Sequence, residues 1–202
     1  MLKDITVKVH DVRIKTHITD MSDAQTFREI FLKGEYDREL GTPKTILDLG
    51  SNVGYSILFF KAKYPDAVIC GYEANPETFK KLKRNVGHLN NVKIFNKAIS
   101  DKNGFEKMYL GSSSASSSLV DRFDENFPTA QVECIELPKQ DFDLIKFDIE
   151  GGEHKVIKNP TNTKYIIGEV HYDLGSGFKL DNFDLKIIKI SRYREVVWGY
   201  LK

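Results

Sequence analysis

The amino-acid sequence predicts an α/β domain with a mostly parallel sheet and helices on both faces. Three observations support this prediction. Between Lys44 and Ser100, short apolar runs alternate with amphipathic segments in the order strand, helix, strand, helix, strand, which is the order of right-handed crossover units. Two later apolar runs, at 141–150 and 164–172, are predicted to extend the sheet. The chain has 202 residues, a length typical of one domain, so we expect residues 1–202 to form a single domain.

Residues 1–43 are predicted to form a preamble to this core, consisting of a β-hairpin and a helix. Positions 5–18 alternate apolar and polar side chains with a break in the middle, a pattern typical of a hairpin. From Asp20 to Leu40 the large apolar residues recur at helical spacing. Pro43 then marks the boundary with the core.

The core is predicted to cover residues 44–202, with boundaries set by apolar runs, prolines and glycines. Its expected elements are strands over 45–50, 67–73, 91–100, 141–150 and 164–172, and helices over 54–65, 76–90 and the short EHKVIKN segment. FDLKIIKI (183–190) fits either a helix or a strand, and EVVWGYLK at the end is predicted to be a closing edge strand. The runs FEKMYL and QVECIEL, two more candidate strands, flank a serine-rich loop at 111–120. That loop is either a flexible linker or a mobile lid beside a substrate.

The composition excludes some classes of protein. Hydrophobic residues make up 41% and charged residues 29%, and the net charge is +1, which is typical of soluble globular proteins and argues against a dedicated nucleic-acid binder. We find neither a signal region nor an apolar run long enough for a membrane span. Cys70 and Cys134 have no metal-binding or disulfide pattern, which favours a reducing cytoplasm.

The segment from Asp48 to Gly54, DLGSNVG, joins the first core strand to the first core helix and predicts a cofactor site. Gly50 allows a sharp turn, and a bare Gly54 lets the helix start approach a ligand. Ser51 and Asn52 lie between them, where the start of a helix offers free N–H groups. The carboxylate of Asp48 is expected to meet the cationic part of a ligand, directly or through water.

Glu73 ends the second predicted core strand, where an acidic side chain accepts hydrogen bonds from ribose hydroxyls in dinucleotide folds. The fingerprint G-x-G-x-x-G of those folds is absent here. S-adenosylmethionine has no pyrophosphate for such a loop to hold, and its amino-acid end suits Asp48. We therefore predict S-adenosylmethionine rather than a nicotinamide cofactor.

Polar residues are also expected at the carboxyl ends of the next two strands. Strand alternation predicts that Asp148 and Glu150 share one face of the sheet, and that Glu169 and His171 share one face. Methylation of an alcohol needs a base or a metal, and His171 is the first candidate base, with Asp148 as a rival and Glu169 nearby. A divalent metal bound by these residues is an alternative. We favour the metal-free version and assign no metal ligand.

Four stretches of the sequence resemble the FkbM-type methyltransferases: LDLGSNVGYSILFF, GYEANPETFKKLKRNV, NKAISDKNG and DLIKFDIEGGEHKVIKN, followed by IIGEVH. The family pattern G-x-N-x-G matches Gly50, Asn52 and Gly54, its acid at the end of strand two matches Glu73, and its K-[ILV]-D-[ILV]-E-G-x-E block matches Lys146 through Glu153. The resemblance implies a Rossmann-like class I methyltransferase fold and S-adenosylmethionine-dependent methylation of hydroxyls. Two features depart from the family: Ala74 stands where a proline is usual, and the tail after His171 is short.

These observations predict an O-methyltransferase acting on a small molecule or saccharide. One alternative is an RNA methyltransferase, which would use the basic run Lys80–Arg84 and basic residues of the tail. The other is a nucleotide-binding module without catalysis. The oligomeric state is not predicted.

Overall fold

A computed structural model describes residues 3–111, 117–120, 127–158, 160, 162–172 and 178–202. The chain begins with an antiparallel hairpin, β1 (Lys3–Val9) and β2 (Val12–Ile18). Helix α1 (Met21–Phe27) follows and continues into a π-helical turn, Arg28–Leu32. Asp20 caps α1, because its side chain accepts a hydrogen bond from the Asp23 backbone N–H at 2.9 Å. The predicted hairpin and helix are confirmed, although the helical segment ends at Leu32 and does not extend to Leu40.

The core elements follow the predicted alternation. They are β3 (Thr45–Leu49), α2 (Tyr55–Lys63), β4 (Val68–Tyr72), α3 (Pro76–Val86), β5 (Val92–Phe95), β6 (Ala98–Ile99), β7 (Gly104–Tyr109), β8 (Thr129–Ile135), β9 (Leu144–Phe147), α4 (Glu153–Val156), β10 (Tyr165–His171), β11 (Phe183–Lys189) and β12 (Arg194–Leu201). Asn75 caps α3 through its side chain, with Pro76 at the first helical position.

The main sheet has the strand order β11-β12-β10-β9-β3-β4-β5. The five strands β10, β9, β3, β4 and β5 are parallel to one another, whereas β12 is antiparallel to both β10 and β11. The predicted mostly parallel sheet is therefore confirmed. Chain order reverses at β3, which lies between β4 and β9, and such a switch point opens a crevice at the carboxyl ends of the strands.

Three strand predictions need correction. The expected strand over 91–100 divides into β5 and β6, and β6 joins β8 and β7 in a separate three-stranded sheet. FDLKIIKI is a strand and lies at the edge, so the terminal segment, β12, is an inner strand. The expected strand over 141–150 ends at Phe147, because the backbone after it turns through Glu150 at φ 55° and Gly151 at φ 104°.

Apolar side chains cover both faces of the main sheet. On one face Ile46 and Ile69 pack with α2, with Leu82 of α3 and with Val9 of the hairpin. On the other face Leu47 and Phe147 pack with Val156 of α4. Helices therefore lie on both faces, as predicted, and the preamble shares the core of the first face. No helix among the described residues is long and apolar enough to cross a membrane.

Candidate active site at the carboxyl ends of the strands

The turn between β3 and α2 is shaped by three residues with positive φ: Gly50 at 75°, Asn52 at 48° and Gly54 at 95°. The backbone N–H groups of Gly50 and Ser51 both donate to the Tyr72 carbonyl, at 3.0 and 2.8 Å. A Cβ at Gly50 would lie 1.8 Å from the Asp148 carbonyl oxygen. Glycine is thus required there, because the end of β9 passes directly over the turn.

Glu73 follows β4 and lies beside this turn. Its two carboxylate oxygens accept the backbone N–H groups of Asn52 at 2.9 Å and Asn75 at 2.8 Å. Burial raises the pKa of Glu73 to about 7, against these two N–H groups, which lower it. The carboxylate therefore links the first glycine-rich turn to the cap of α3, and each oxygen retains capacity to accept a further hydrogen bond.

Asp48 has a different environment from the one expected. It is fully buried, 3.1 Å from the Lys146 ammonium, and accepts a hydrogen bond from the Ser56 hydroxyl at 2.6 Å. Lys146 also donates to the Gly50 carbonyl at 2.7 Å. The expected direct contact of Asp48 with a ligand is not supported, because Lys146 compensates its charge. The register of β3 on β9 places these two residues opposite one another.

Of the six predicted cofactor residues, three line a cavity that opens at the carboxyl ends of the strands. Within the described part of the chain its wall includes Gly50, Asn52 and Glu73 but not Asp48, Ser51 or Gly54. A Cβ at Gly54 would meet Val86 and Leu82 of α3 at 2.8 and 2.9 Å. This glycine serves helix packing, rather than the close approach to a ligand that the sequence suggested.

The loop after β9 is organised by Glu153. Its carboxylate accepts the backbone N–H groups of Ile149 and Gly151, each at 3.1 Å, and the ring Nδ1 of His171 lies 3.1 Å away. Burial opposes ionisation of Glu153, but the hydrogen bond with His171 prevails and lowers its pKa. The left-handed backbone of Glu150 within this loop shows that strand alternation does not extend past Phe147. Asp148 and Glu150 do line the same cavity, as expected, but the turn brings them together and not the alternation of a strand.

His171 is held between carboxylates. Its Nε2 lies 3.5 Å from Glu150 and 3.7 Å from Glu169, and the side chain is 9% exposed. Burial disfavours the charged ring, but the hydrogen bond to Glu153 and the charges of Glu150 and Asp148 raise the pKa of His171 to about 9. A ring protonated at neutral pH has no nitrogen that can accept a proton, so this environment does not favour His171 as the general base.

Glu169, on β10, lines the cavity and belongs to a cluster that the sequence did not reveal. Its carboxyl group interacts with that of Glu35, and Arg194 Nε lies 3.2 Å from its carboxylate. Burial, with the charges of Asp148 and Glu35, raises the pKa of Glu169 to about 10 although Arg194 opposes the shift. Burial likewise raises the pKa of Glu35. The two carboxyl groups therefore hold a proton at neutral pH.

Asp148 is the carboxylate best placed to meet a reacting group. It follows β9 immediately, lines the cavity, and its backbone N–H donates to the Leu49 carbonyl at 3.0 Å. Its Oδ1 is buried and has no hydrogen-bond partner among the residues described. Such an atom is costly to leave unsatisfied, and native structures seldom retain one without a reason.

Asp148, Glu150 and His171 each offer a ligand atom, and these atoms lie within 4.8 Å of one another. Their spacing is compatible with a divalent cation, although His171 Nε2 would have to lose its proton to coordinate one. Both alternatives, a metal-free reaction and one that uses a divalent metal, therefore stay predictions.

The cavity has a volume of about 720 Å³, which is within the usual range of small-molecule sites. One wall is formed by the strand ends and the other by α1, the π-helical turn and the residues after it, including Glu29, Glu35 and Tyr36. Ser117 and Leu119 also line it, and the Ser118 hydroxyl donates to the Glu150 carbonyl at 2.6 Å. Positions 112–116 of the serine-rich loop lie outside the described residues, so its predicted mobility stays a prediction.

Comparison with known proteins identifies the family of this chain. The family model for the methyltransferase FkbM domain matches residues 48–194. Methyltransferase sdnD of Sordaria araneosa is 27% identical over 188 residues, covering 73% of this chain and 70% of that protein. The 2-O-methyltransferase NoeI of Sinorhizobium fredii is 27% identical over 150 residues, covering 61% and 62% of the two chains.

A solved structure has the same fold. The Methanococcus jannaschii fibrillarin pre-rRNA processing protein superposes with a TM-score of 0.50 at 12% identity, covering 98% of this chain and 82% of that one. The family match is the stronger finding, because it extends over more than half of the chain and contains the glycine-rich turn, Glu73 and both carboxylate-bearing strand ends. This chain therefore belongs to the methyltransferases with an FkbM domain, and the resemblance predicted from its motifs is confirmed.

Proposed function

We propose that this protein is an S-adenosylmethionine-dependent O-methyltransferase whose acceptor is a hydroxyl group of a small molecule or saccharide. One observation carries the proposal. A single cavity is lined by the glycine turn, by Glu73 and by Asp148, whose buried Oδ1 has no hydrogen-bond partner in the described structure. A nucleotide-binding module without catalysis would need the first half of that cavity but not the second.

The residues present fit the proposed cofactor. Gly50 forms a close-packed turn that has no room for a Cβ, and the buried Oδ1 of Asn52 is unpartnered within the described structure. Glu73 has accepting capacity for ribose hydroxyls, next to the apolar side chains of Ala98 and Ile99 on the same wall. We propose that these residues hold the nucleoside part. When bound, the cofactor supplies a methyl group on a sulfonium, which is a good leaving group.

The chain must then align the acceptor oxygen and accept its proton. In the overall reaction an oxygen–carbon bond forms, the sulfur–carbon bond breaks with its electron pair left on sulfur, and the hydroxyl proton leaves. We propose that Asp148 orients the hydroxyl and accepts this proton, which then passes to water. Glu169 holds a proton and acts as a hydrogen-bond donor, and His171 with Glu153 positions the loop that carries Glu150.

We also propose that residues 1–202 act as one domain, because the hairpin and α2 share one hydrophobic cluster. A cytoplasmic location is proposed on the two cysteines, neither of which forms a disulfide. Both proposals are independent of the catalytic assignment.

Titration calorimetry tests the cofactor. S-adenosylmethionine and its demethylated product should bind with micromolar dissociation constants, and NAD should not bind. Tighter binding of NAD would refute the proposal.

Methyl transfer is tested with the variant Asp148→Asn, which preserves the shape of the side chain but removes the accepting charge. We expect a ~10²–10⁴-fold lower turnover with unchanged affinity for the demethylated cofactor, and Asp101→Asn, an exposed carboxylate on a turn of the described chain, is the matched control.

A further inference from the structure

One wall of the cavity, opposite the strand ends, is built from residues that lie outside the family match. The match begins at residue 48, whereas α1, the π-helical turn and the segment through Tyr36 form a whole wall. The family resemblance therefore describes the half of the site with Glu73 and leaves the opposite half unassigned.

Two carboxyl groups meet at that wall. Glu35, from the preamble, shares a hydrogen bond with Glu169, from β10, and both side chains line the cavity. Two carboxyl groups can be joined by a hydrogen bond only if one of them carries a proton. Glu169 is buried and Glu35 half-buried. Because the shared proton lies between the two carboxyl groups, the pair presents accepting lone pairs to the cavity.

The surrounding charges are mostly negative. Six carboxyl groups line the described cavity wall: Glu29, Glu35, Glu73, Asp148, Glu150 and Glu169. The basic side chains on the wall are Arg28, Lys33, Lys97 and Arg194, and three of them face carboxylates. Lys33 lies 3.9 Å from Glu29, Lys97 lies 2.7 Å from Glu133, and Arg194 lies 3.2 Å from Glu169. Positive charge on the wall is thus largely compensated before any ligand enters.

We propose that Glu35 and Glu169 form the subsite for the methyl acceptor, and that this subsite selects an uncharged, hydroxyl-bearing molecule over a phosphorylated or carboxylated one. The inference rests on the proposed methyltransferase function. A hydroxyl can donate its proton to an accepting oxygen of the pair, whereas a fully ionised phosphate or carboxylate has no proton to donate. An anionic group would face carboxylates in a partly desolvated site, where like charges repel strongly.

Glu35 is then a specificity-determining residue that contacts the acceptor. Glu35→Gln retains the size of the side chain and an oxygen that accepts from Glu169. It replaces the accepting oxygen that faces the acceptor with an amide N–H₂ donor. The matched control is Glu39→Gln, because Glu39 is an exposed glutamate of the same segment and is absent from the described cavity wall.

The experiment uses the full chain, S-adenosylmethionine with a labelled methyl group, and an extract of cells as the source of acceptors. After incubation, the small molecules and the nucleic acids are separated by anion exchange into neutral and anionic fractions. We expect the label in the neutral fraction. Label confined to the anionic fraction, or to RNA, would overturn the inference while leaving methyl transfer intact. Label in no fraction would overturn the proposed function itself, and with it this inference.

The variants complete the test. Glu35→Gln should lower labelling of the neutral fraction at least tenfold, while its affinity for S-adenosylhomocysteine and its thermal midpoint stay those of the parent. Glu39→Gln should change none of the three. Parental labelling by Glu35→Gln would exclude Glu35 from the acceptor subsite.

Discussion

Replacing Lys146 by methionine tests how the cofactor turn is held in place. Lys146 is 2% exposed, its ammonium lies 3.1 Å from Asp48, and it donates to the carbonyls of Gly50 at 2.7 Å and Leu49 at 3.3 Å. Methionine preserves most of the volume of the side chain but removes the charge and all three polar contacts. Asp48 would then stay fully buried with only the Ser56 hydroxyl beside it.

The expected loss follows from this geometry. Removing one partner of a buried ion pair leaves an uncompensated charge and costs about 3–5 kcal/mol. We therefore expect Lys146→Met to lower the free energy of unfolding by about 3–5 kcal/mol. The double variant Lys146→Met with Asp48→Asn should recover a large part of this loss, since a neutral amide replaces the stranded carboxylate.

Urea denaturation followed by circular dichroism measures the effect. Lys164→Met is the control, because Lys164 also pairs with an aspartate, Asp143, at 2.7 Å but is exposed. We expect the control to leave the urea midpoint nearly unchanged. A loss below about 1 kcal/mol for Lys146→Met, or a double variant no more stable than the single one, would refute the argument that Lys146 compensates Asp48.

Three further predictions concern the same edge of the sheet. Glu73→Ala should weaken S-adenosylhomocysteine binding by ~1.5–3 kcal/mol in calorimetry, because the lost hydrogen bonds involve a charged acceptor; unchanged affinity would argue against a ribose contact. Gly50→Ala should destabilise far more than Gly104→Ala in urea titrations: both have positive φ, but only the Cβ at Gly50 would strike the Asp148 carbonyl, at 1.8 Å, whereas nothing lies within 4 Å at Gly104. The pKa of His171 is raised to about 9 in the folded protein, so its contribution to stability, roughly 3 kcal/mol, is complete below pH ~6.5 and disappears as the pH rises through 9. The stability difference between the parent and His171→Gln should therefore be larger at pH 6 than at pH 9.5, with His88→Gln as the exposed control, and a difference that does not change with pH would contradict the assignment.

The parts of the fold that depend on local pattern could be predicted from the sequence. The apolar run TILDL and the turn glycines lie next to one another in the chain, and the N-cap Asn75 precedes Pro76 directly. The periodicity of the apolar residues and the helix-capping residues therefore locate β3, α2, β4 and α3 without knowledge of distant contacts. The same reasoning failed at the end of the expected strand over 141–150, because the left-handed backbone at Glu150 belongs to a residue type that seldom adopts it.

The role of Asp48 could not be predicted, because it depends on the register of two strands far apart in the sequence. Asp48 on β3 lies opposite Lys146 on β9 in the parallel pairing. A shift of one residue would place Lys146 on the other face of the sheet. Nothing in the local sequence of either strand specifies that register. The sequence therefore predicted a ligand contact for Asp48, whose partner in the structure is the buried Lys146.

The two halves of the cavity differ in how they are encoded, and this difference bears on function. The half with Gly50 and Glu73 comes from adjacent strand–turn–helix units within the matched family region, so its chemistry is visible in short motifs. The half with Glu35 requires the preamble to fold back on β10, and it is visible only in three dimensions. The side chains of the preamble that line the cavity, such as Glu35, can change without altering the turn that would hold the cofactor. Such a division lets one fold keep a fixed methyl donor while its acceptor changes, and it makes the preamble the region in which substitutions should alter acceptor choice before they alter cofactor affinity.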